Sequence, residues 1–240
     1  MTPTSTPQTY VLVHGAALGK YIWERVQQRL MADGHTVITL DLPGHGEDCT
    51  PVDQITLDTY IQAVIKAIGD HTDVVLVGHS FGGFVTAQVA EAIPKQIVKL
   101  VYLAAPVIQN GQNNAEVSQQ DLKSVLNPNS VLNEGMIEFP GKWIGLALCN
   151  DCLPDDVNML AGKVRPFPLG PLLTPVKLTA DHFGTVPKYY ILTTQDKTVS
   201  YPFQQKMLTW LEFTKTYTLD TSHMPMLSQP TELVRILEQL

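Results

Sequence analysis

Runs of consecutive apolar residues alternate, along the first hundred positions, with segments whose apolar residues recur every three or four places. Tyr10-Val11-Leu12-Val13 reads as a buried strand. Ile22, Val26, Leu30 and Met31 then repeat at helical spacing, and Gly34 closes that helix as its C-cap. Thr36 to Leu40 is the next strand, ended by Asp41-Leu42-Pro43-Gly44. Leu57 to Ile68 carries Ile61, Val64, Ile65 and Ile68 on one helical face. Val74 to Val77 is a third strand, Phe84 to Ala92 a third helix and Ile97 to Leu103 a fourth strand. The rhythm resumes with a fifth strand at Lys188 to Leu192 and a helix around Phe203 to Leu211. A sixth strand at Thr214 to Leu219 and a terminal helix at Thr231 to Leu240 complete it.

Strands that alternate with helices need crossovers, and crossovers make the strands parallel and cover both sheet faces. The pattern predicts an α/β protein: one domain over residues 1–240 with a mostly parallel, six-stranded, doubly wound sheet. The alternation stops between about 108 and 187. Asn110 to Asn114 is a polar linker, irregular helices and loops follow, and Pro166, Pro168, Pro171 and Pro175 make the last part extended. This stretch reads as a small cap inserted into the sheet domain.

Composition removes several classes. Hydrophobic residues make up 44% and charged residues 16%, which excludes intrinsic disorder. Lys and Arg number 16 against 23 Asp and Glu, and no basic run breaks the net charge of −7. That balance argues against nucleic-acid and anionic-membrane partners. Apolar stretches fall short of the about 20 residues of a membrane-spanning helix. Three cysteines (Cys49, Cys149 and Cys152) argue against a disulfide scaffold and fit a reducing compartment. Met1 to Gln8 lacks the basic and apolar regions of a signal peptide and reads as a short mobile tail on a cytoplasmic protein. The oligomeric state is left open.

The chemistry concentrates at Val77-Gly78-His79-Ser80-Phe81-Gly82-Gly83. This is G-x-S-x-G with a strand directly before it and a helix after it, the context of an exposed nucleophile on a sharp turn. An incidental serine in a glycine-rich turn would not require that context. A serine hydroxyl is a weak nucleophile at neutral pH, so it needs a base, and the base needs an orienting carboxylate. Of seven histidines, His223 follows the sixth strand and so emerges at the same sheet edge as Ser80. His14 and His79 are read as structural, and His35, His45, His71 and His182 as surface or loop residues. Asp196, just past the fifth strand, is the preferred carboxylate, and the order Ser80, Asp196, His223 suits a doubly wound hydrolase. Asp220 is the runner-up, with Asp41 and Asp181 behind it. Acyl transfer also needs backbone donors for the developing oxyanion, at ~3 kcal/mol each. The N–H groups of Ala16 and Phe81 are assigned to that task. Trp143 from the insertion, and Met224 beside the base, are assigned to substrate.

Three other patterns are set aside. Gly15 to Tyr21 has glycine spacing one residue short of a phosphate-binding loop and lacks its Ser/Thr. Gly44-His45-Gly46 lacks the third glycine of a dinucleotide site. Cys149-Asn150-Asp151-Cys152 has no further ligands nearby for zinc. No metal or cofactor is expected.

Val13-His14-Gly15-Ala16, Gly78 to Gly83, the Asp196 strand end and His223-Met224-Pro225-Met226-Leu227 together resemble the α/β-hydrolase superfamily. The resembled branch contains plant methylesterases, hydroxynitrile lyases and many bacterial esterases. Cys152-Leu153-Pro154-Asp155-Asp156 is similar to a short motif in that family's cap. The resemblance implies cofactor-independent cleavage of a small carboxylic ester. The lyases of this branch carry lysine directly after the catalytic histidine and threonine in place of the glycine of the His-Gly pair. Here Met224 and Gly15 stand at those positions, on the esterase side. Methylesterases of this type often have Asp before the histidine, where this chain has Ser222. The alternatives are lyase-type general-base catalysis and a non-catalytic small-molecule receptor on the same fold.

Overall fold

A computed structural model describes residues 6–240. Most of the stretch read as a tail lies outside the described residues. Its last residue is fixed: Gln8 donates its N–H to His35 Nδ1 and accepts from the Thr36 N–H.

Six parallel strands form the main sheet. They are β1 (Thr9–Val13), β2 (Thr36–Thr39), β3 (Val74–His79) and β4 (Ile97–Leu103), then Lys188–Thr193 and Lys215–Leu219 after a long intervening segment. That segment holds three short strands, β5 (Val131–Asn133), β6 (Met136–Glu138) and β7 (Phe167–Pro168), so the last two main strands are β8 and β9. The main sheet runs β2-β1-β3-β4-β8-β9.

The central strands are apolar throughout because both faces are covered. Successive residues point to opposite sides: Val11, Val13, Leu76, Leu100 and Tyr102 enter one core, and Tyr10, Leu12, Val75, Val77 and Val101 the other. Helices α2 (Leu57–Ile68) and α3 (Phe81–Ala92) close the first face. Helix α1 (Glu24–Ala32) and the terminal helix Pro230–Leu237 close the second with Val26, Leu30, Leu233 and Ile236. The edge strands β2 and β9 are correspondingly more exposed.

Three expectations about the elements and the cysteines need correction. The intervening segment is not only helices and loops, because β5, β6 and β7 form an antiparallel sheet of their own. Its hairpin turns at Glu134 and Gly135, both at positive φ (47° and 77°), the geometry that matches strand twist. Strands of two or three residues carry too little periodicity to read. Helix α3 begins at Phe81 rather than Phe84, despite the low helical propensity of Gly82 and Gly83. Cys149 and Cys152 are joined as a disulfide, while Cys49 is a free, exposed thiol. Among the described residues, no helix is long and apolar enough to cross a membrane.

The intervening segment is tied to the sheet domain at several points. Arg25 of α1 makes a bidentate pair with Asp156 at 2.7 and 2.9 Å and also donates to the Leu227 carbonyl at 2.7 Å. Arg165 donates to the carbonyls of Gly46 and Asp48.

His45 and His35 are buried rather than superficial. His45 lies under Phe167, with its Nε2 2.9 Å from the Tyr60 hydroxyl. The Leu42 N–H donates to His14 Nε2, which makes His14 Nδ1 the donor to the Gly15 carbonyl. Burial lowers His14 from 6.5 to about 4 and His45 to about 3. Both are neutral when folded, so the unfolded chain binds more protons wherever pH lies between those values and 6.5. Stability is therefore full above about pH 6.5 and falls as pH drops. Each ring should remove about 2 kcal/mol by pH 5, before most carboxylates titrate. Urea unfolding at pH 7, 6 and 5 should show a midpoint that decreases stepwise; a midpoint constant over that range would contradict it.

Candidate active site

The parallel strands release their loops at one sheet edge. The chain winds outward from β1 to β2 and then crosses back to β3, so the winding reverses between β1 and β3, where sites on such sheets lie. Ala16 follows β1, Ser80 follows β3, Asp196 follows β8 and His223 follows β9.

Ser80 occupies the turn between β3 and α3 with φ 52° and ψ −130°, a strained conformation for a non-glycine residue. Its N–H donates to the Leu103 carbonyl, and its carbonyl accepts from the Gly83 N–H. The neighbouring glycines allow the close approach. A Cβ on Gly78 would lie 2.4 Å from Thr86 Oγ1, and one on Gly82 2.7 Å from the carbonyl oxygens of Val13 and His14. Phe81 opens α3, so its N–H belongs to the first turn, which has no acceptor four residues back.

His223 is 1% exposed and donates from Nδ1 to Asp196 Oδ2 at 2.7 Å. The same oxygen accepts from Thr193 Oγ1 and Gln204 Nε2, while Oδ1 accepts from the Thr198 and Val199 N–H groups at 2.8 and 2.9 Å. Five donors converge on one buried carboxylate and fix its orientation. His223 Nε2 is buried without a hydrogen-bond partner among the described residues. His79 lies beside it, 4.7 Å between ring centroids with the rings tilted by 51°, and donates from Nε2 to the His223 carbonyl. Burial first, and then the neighbouring His223, hold His79 well below the ordinary imidazole value, so it stays neutral. Asp220 is exposed and is engaged with Thr194 and Gln195 instead of an imidazole.

Ser80, His223, Ala16 and Phe81 all line one cavity of about 280 Å³. Ser80 and His223 are not hydrogen-bonded to each other in this arrangement, an ordinary situation without substrate. Phe139, Ile144, Leu148, Leu172 and Phe203 supply apolar walls, and Asn114, Ser118, Asp121 and Ser130 a polar one. Two assigned residues are elsewhere. Trp143 is half-buried against the second core, with Lys142 Nζ 5.1 Å from its ring centroid, because its turn directs Ile144 and Leu148 to the cavity instead. Met224 is fully buried in the same core.

Thr193 and Gln204 escape a reading of the sequence. Gln204 is fully buried, accepting from the Thr193 N–H and donating toward Thr193, Asp196 and Val199. Only its placement one turn into the helix after the Asp196 loop could have signalled it. Among the described residues, no group of three or more His, Cys, Asp or Glu is arranged to hold a metal ion.

A doubly wound parallel sheet with a strained serine and a His–Asp pair at its switch point defines the hydrolase class of α/β folds. A profile of the Alpha/beta hydrolase family matches residues 10–236, and the chain belongs to that family. Salicylic acid-binding protein 2 of Nicotiana tabacum is 30% identical over 242 residues, 93% of each chain. Methylesterase 7 of Arabidopsis thaliana is 28% identical over 96% of this chain and 95% of its own. Longer relatives from that plant carry chloroplastic methylesterase names, and this chain spans 56% to 71% of their length. Among solved structures, polyneuridine aldehyde esterase superposes with TM-score 0.86 at 25% identity, covering 97% of this chain and 98% of that one.

Proposed function

We propose that this chain is a cofactor-independent serine hydrolase that cleaves a small carboxylic ester through an acyl-enzyme. In this reading residues 1–240 are one hydrolase domain, and roughly 108–187 cap the cavity. Ser80 Oγ attacks the ester carbonyl while His223 Nε2 takes its proton and then returns it to the leaving alcohol. Asp196 fixes the tautomer that leaves Nε2 free and stabilises the imidazolium. The N–H groups of Ala16 and Phe81 receive the oxyanion. Water activated by His223 then releases the acid.

One observation carries the reading: a His–Asp pair keeps an unpartnered buried base nitrogen on a residue that shares its cavity with a strained serine. The esterase names of the relatives agree with it. So does Gly15, where a Cβ would sit 2.8 Å from Ser80 Cβ, leaving no room for the threonine of the lyases. A panel of esters varied separately on the acyl and alcohol sides, run beside mandelonitrile, tests the assignment. Ester release without mandelonitrile cleavage is expected; mandelonitrile cleavage alone would favour a lyase, and turnover of neither would favour a receptor.

We further place the protein in the cytoplasm on the free, exposed Cys49 thiol. Alkylation at the moment of lysis should find three thiols there. A single reactive thiol would place the protein in an oxidising compartment that maintains the Cys149–Cys152 bridge.

A further inference from the structure

The Cys149-Asn150-Asp151-Cys152 loop has no part in the mechanism above, yet its two middle side chains reach both loops that carry the His–Asp pair. Asn150 Nδ2 donates to the carbonyl of Gln195, the residue before Asp196, at 3.4 Å. Asp151 Oδ2 accepts from Thr221 Oγ1 at 2.6 Å and from the Ser222 N–H at 3.1 Å, and His223 is the next residue. Thr221 Oγ1 also meets Ser228 Oγ at 2.7 Å, so the carboxylate is linked to the chain on both sides of His223. Thr221 and Ser222 are fully buried. The Ser222 N–H would otherwise be an orphaned buried donor, which costs about 1–3 kcal/mol.

We propose that Asp151 is a positioning residue for the catalytic base: it anchors the Thr221–Ser222 segment and thereby aims the His223 ring between Asp196 and the Ser80 hydroxyl. Burial acts to raise the Asp151 carboxyl, but hydrogen bonds from Ser222 and Thr221 outweigh it and leave the group below its ordinary value. It is therefore anionic at neutral pH and accepts both bonds. Asp151 does not line the cavity, so it makes no direct contact with a substrate there.

The inference rests on the esterase reading, and its test separates the two. Asp151→Ala should lower kcat by ~10²-fold, the scale expected when a reacting group is misplaced by about 1 Å. KM should stay within about threefold, because no substrate contact is lost. Asp151→Asn retains an acceptor oxygen for the Ser222 N–H and should recover most of kcat. Independently of turnover, the downfield proton signal of His223 Nδ1–H, assigned by its loss in His223→Gln, should weaken in Asp151→Ala and persist in Asp151→Asn. Should Asp151→Ala fail to fold, Asp151→Asn and the proton signal decide. An unchanged kcat and proton signal in the Ala variant would overturn the inference, as would a rise in KM at constant kcat or an Asn variant as impaired as the Ala variant. If the wild-type protein turns over no ester while the proton signal still responds to Asp151→Ala, the esterase reading fails and the positioning role stands.

Discussion

Ser80→Ala should lower ester turnover by ~10³-fold or more while leaving the fold intact. The substitution removes one oxygen atom, and it is the atom that would carry the acyl group. Alanine adopts the φ 52° backbone at about the same strain as serine, so the turn between β3 and α3 has no new reason to rearrange. The cavity walls from Phe139, Ile144 and Leu148 are untouched, so substrate should still bind and KM should change little. Remaining activity should come from the oxyanion donors and from binding alone, which is why the loss is large but finite. Turnover of p-nitrophenyl acetate, with fluorophosphonate labelling located by peptide mass analysis, checks both halves. The wild-type protein should be labelled on Ser80 and the variant on no residue. A variant within tenfold of wild type would remove Ser80 from the chemistry.

The parts of this fold that were legible in the sequence are those where one local rule decides. Val11 to Val13, Val74 to Val77 and Leu100 to Leu103 are apolar without interruption because parallel strands between two helical layers have no solvent face. Leu57 to Ile68 matched residue for residue because its stripe is complete and Thr56 caps it through a reciprocal pair with Thr59. Ser80, Asp196 and His223 were legible because each follows a strand, and parallel strands deliver their C-terminal loops to a common edge.

What could not be read depends on contacts between distant segments. His45 resembles a loop residue until Tyr60 and Phe167 enclose it. Gln204 resembles a surface helix residue until the Asp196 loop folds over it. Trp143 and Ile144 are adjacent, and sequence cannot say which of the two a short helical turn directs to the cavity. The β5–β7 sheet depends on Phe167 pairing with Ile137 thirty residues earlier, a partnership with no local signature.

The second large effect falls on the base and its carboxylate. His223→Ala should lower turnover by ~10³-fold or more, because no other imidazole in the site can replace it. His14 and His79 are both buried and committed, the first to the Leu42 N–H and Gly15 carbonyl, the second to the His223 carbonyl. Asp196→Asn should give a smaller loss, still at least ~10²-fold. The reason is a count of donors. Oδ2 accepts from His223, Thr193 and Gln204, and Oδ1 from the Thr198 and Val199 N–H groups. An asparagine amide has one oxygen, so its NH₂ must face donors on one side whichever way it turns. If the NH₂ faces the backbone pair, the loop is strained; if it faces His223, the ring gains its other tautomer and Nε2 carries the proton. Either way the base is lost or displaced. Asp220→Asn changes an exposed residue held by Thr194 and Gln195, so turnover should stay within about threefold of wild type. The comparison is decisive in one direction: an Asp220 variant more impaired than the Asp196 variant would mean that the short bond between Asp196 and His223 is structural and that the acid of this site is elsewhere.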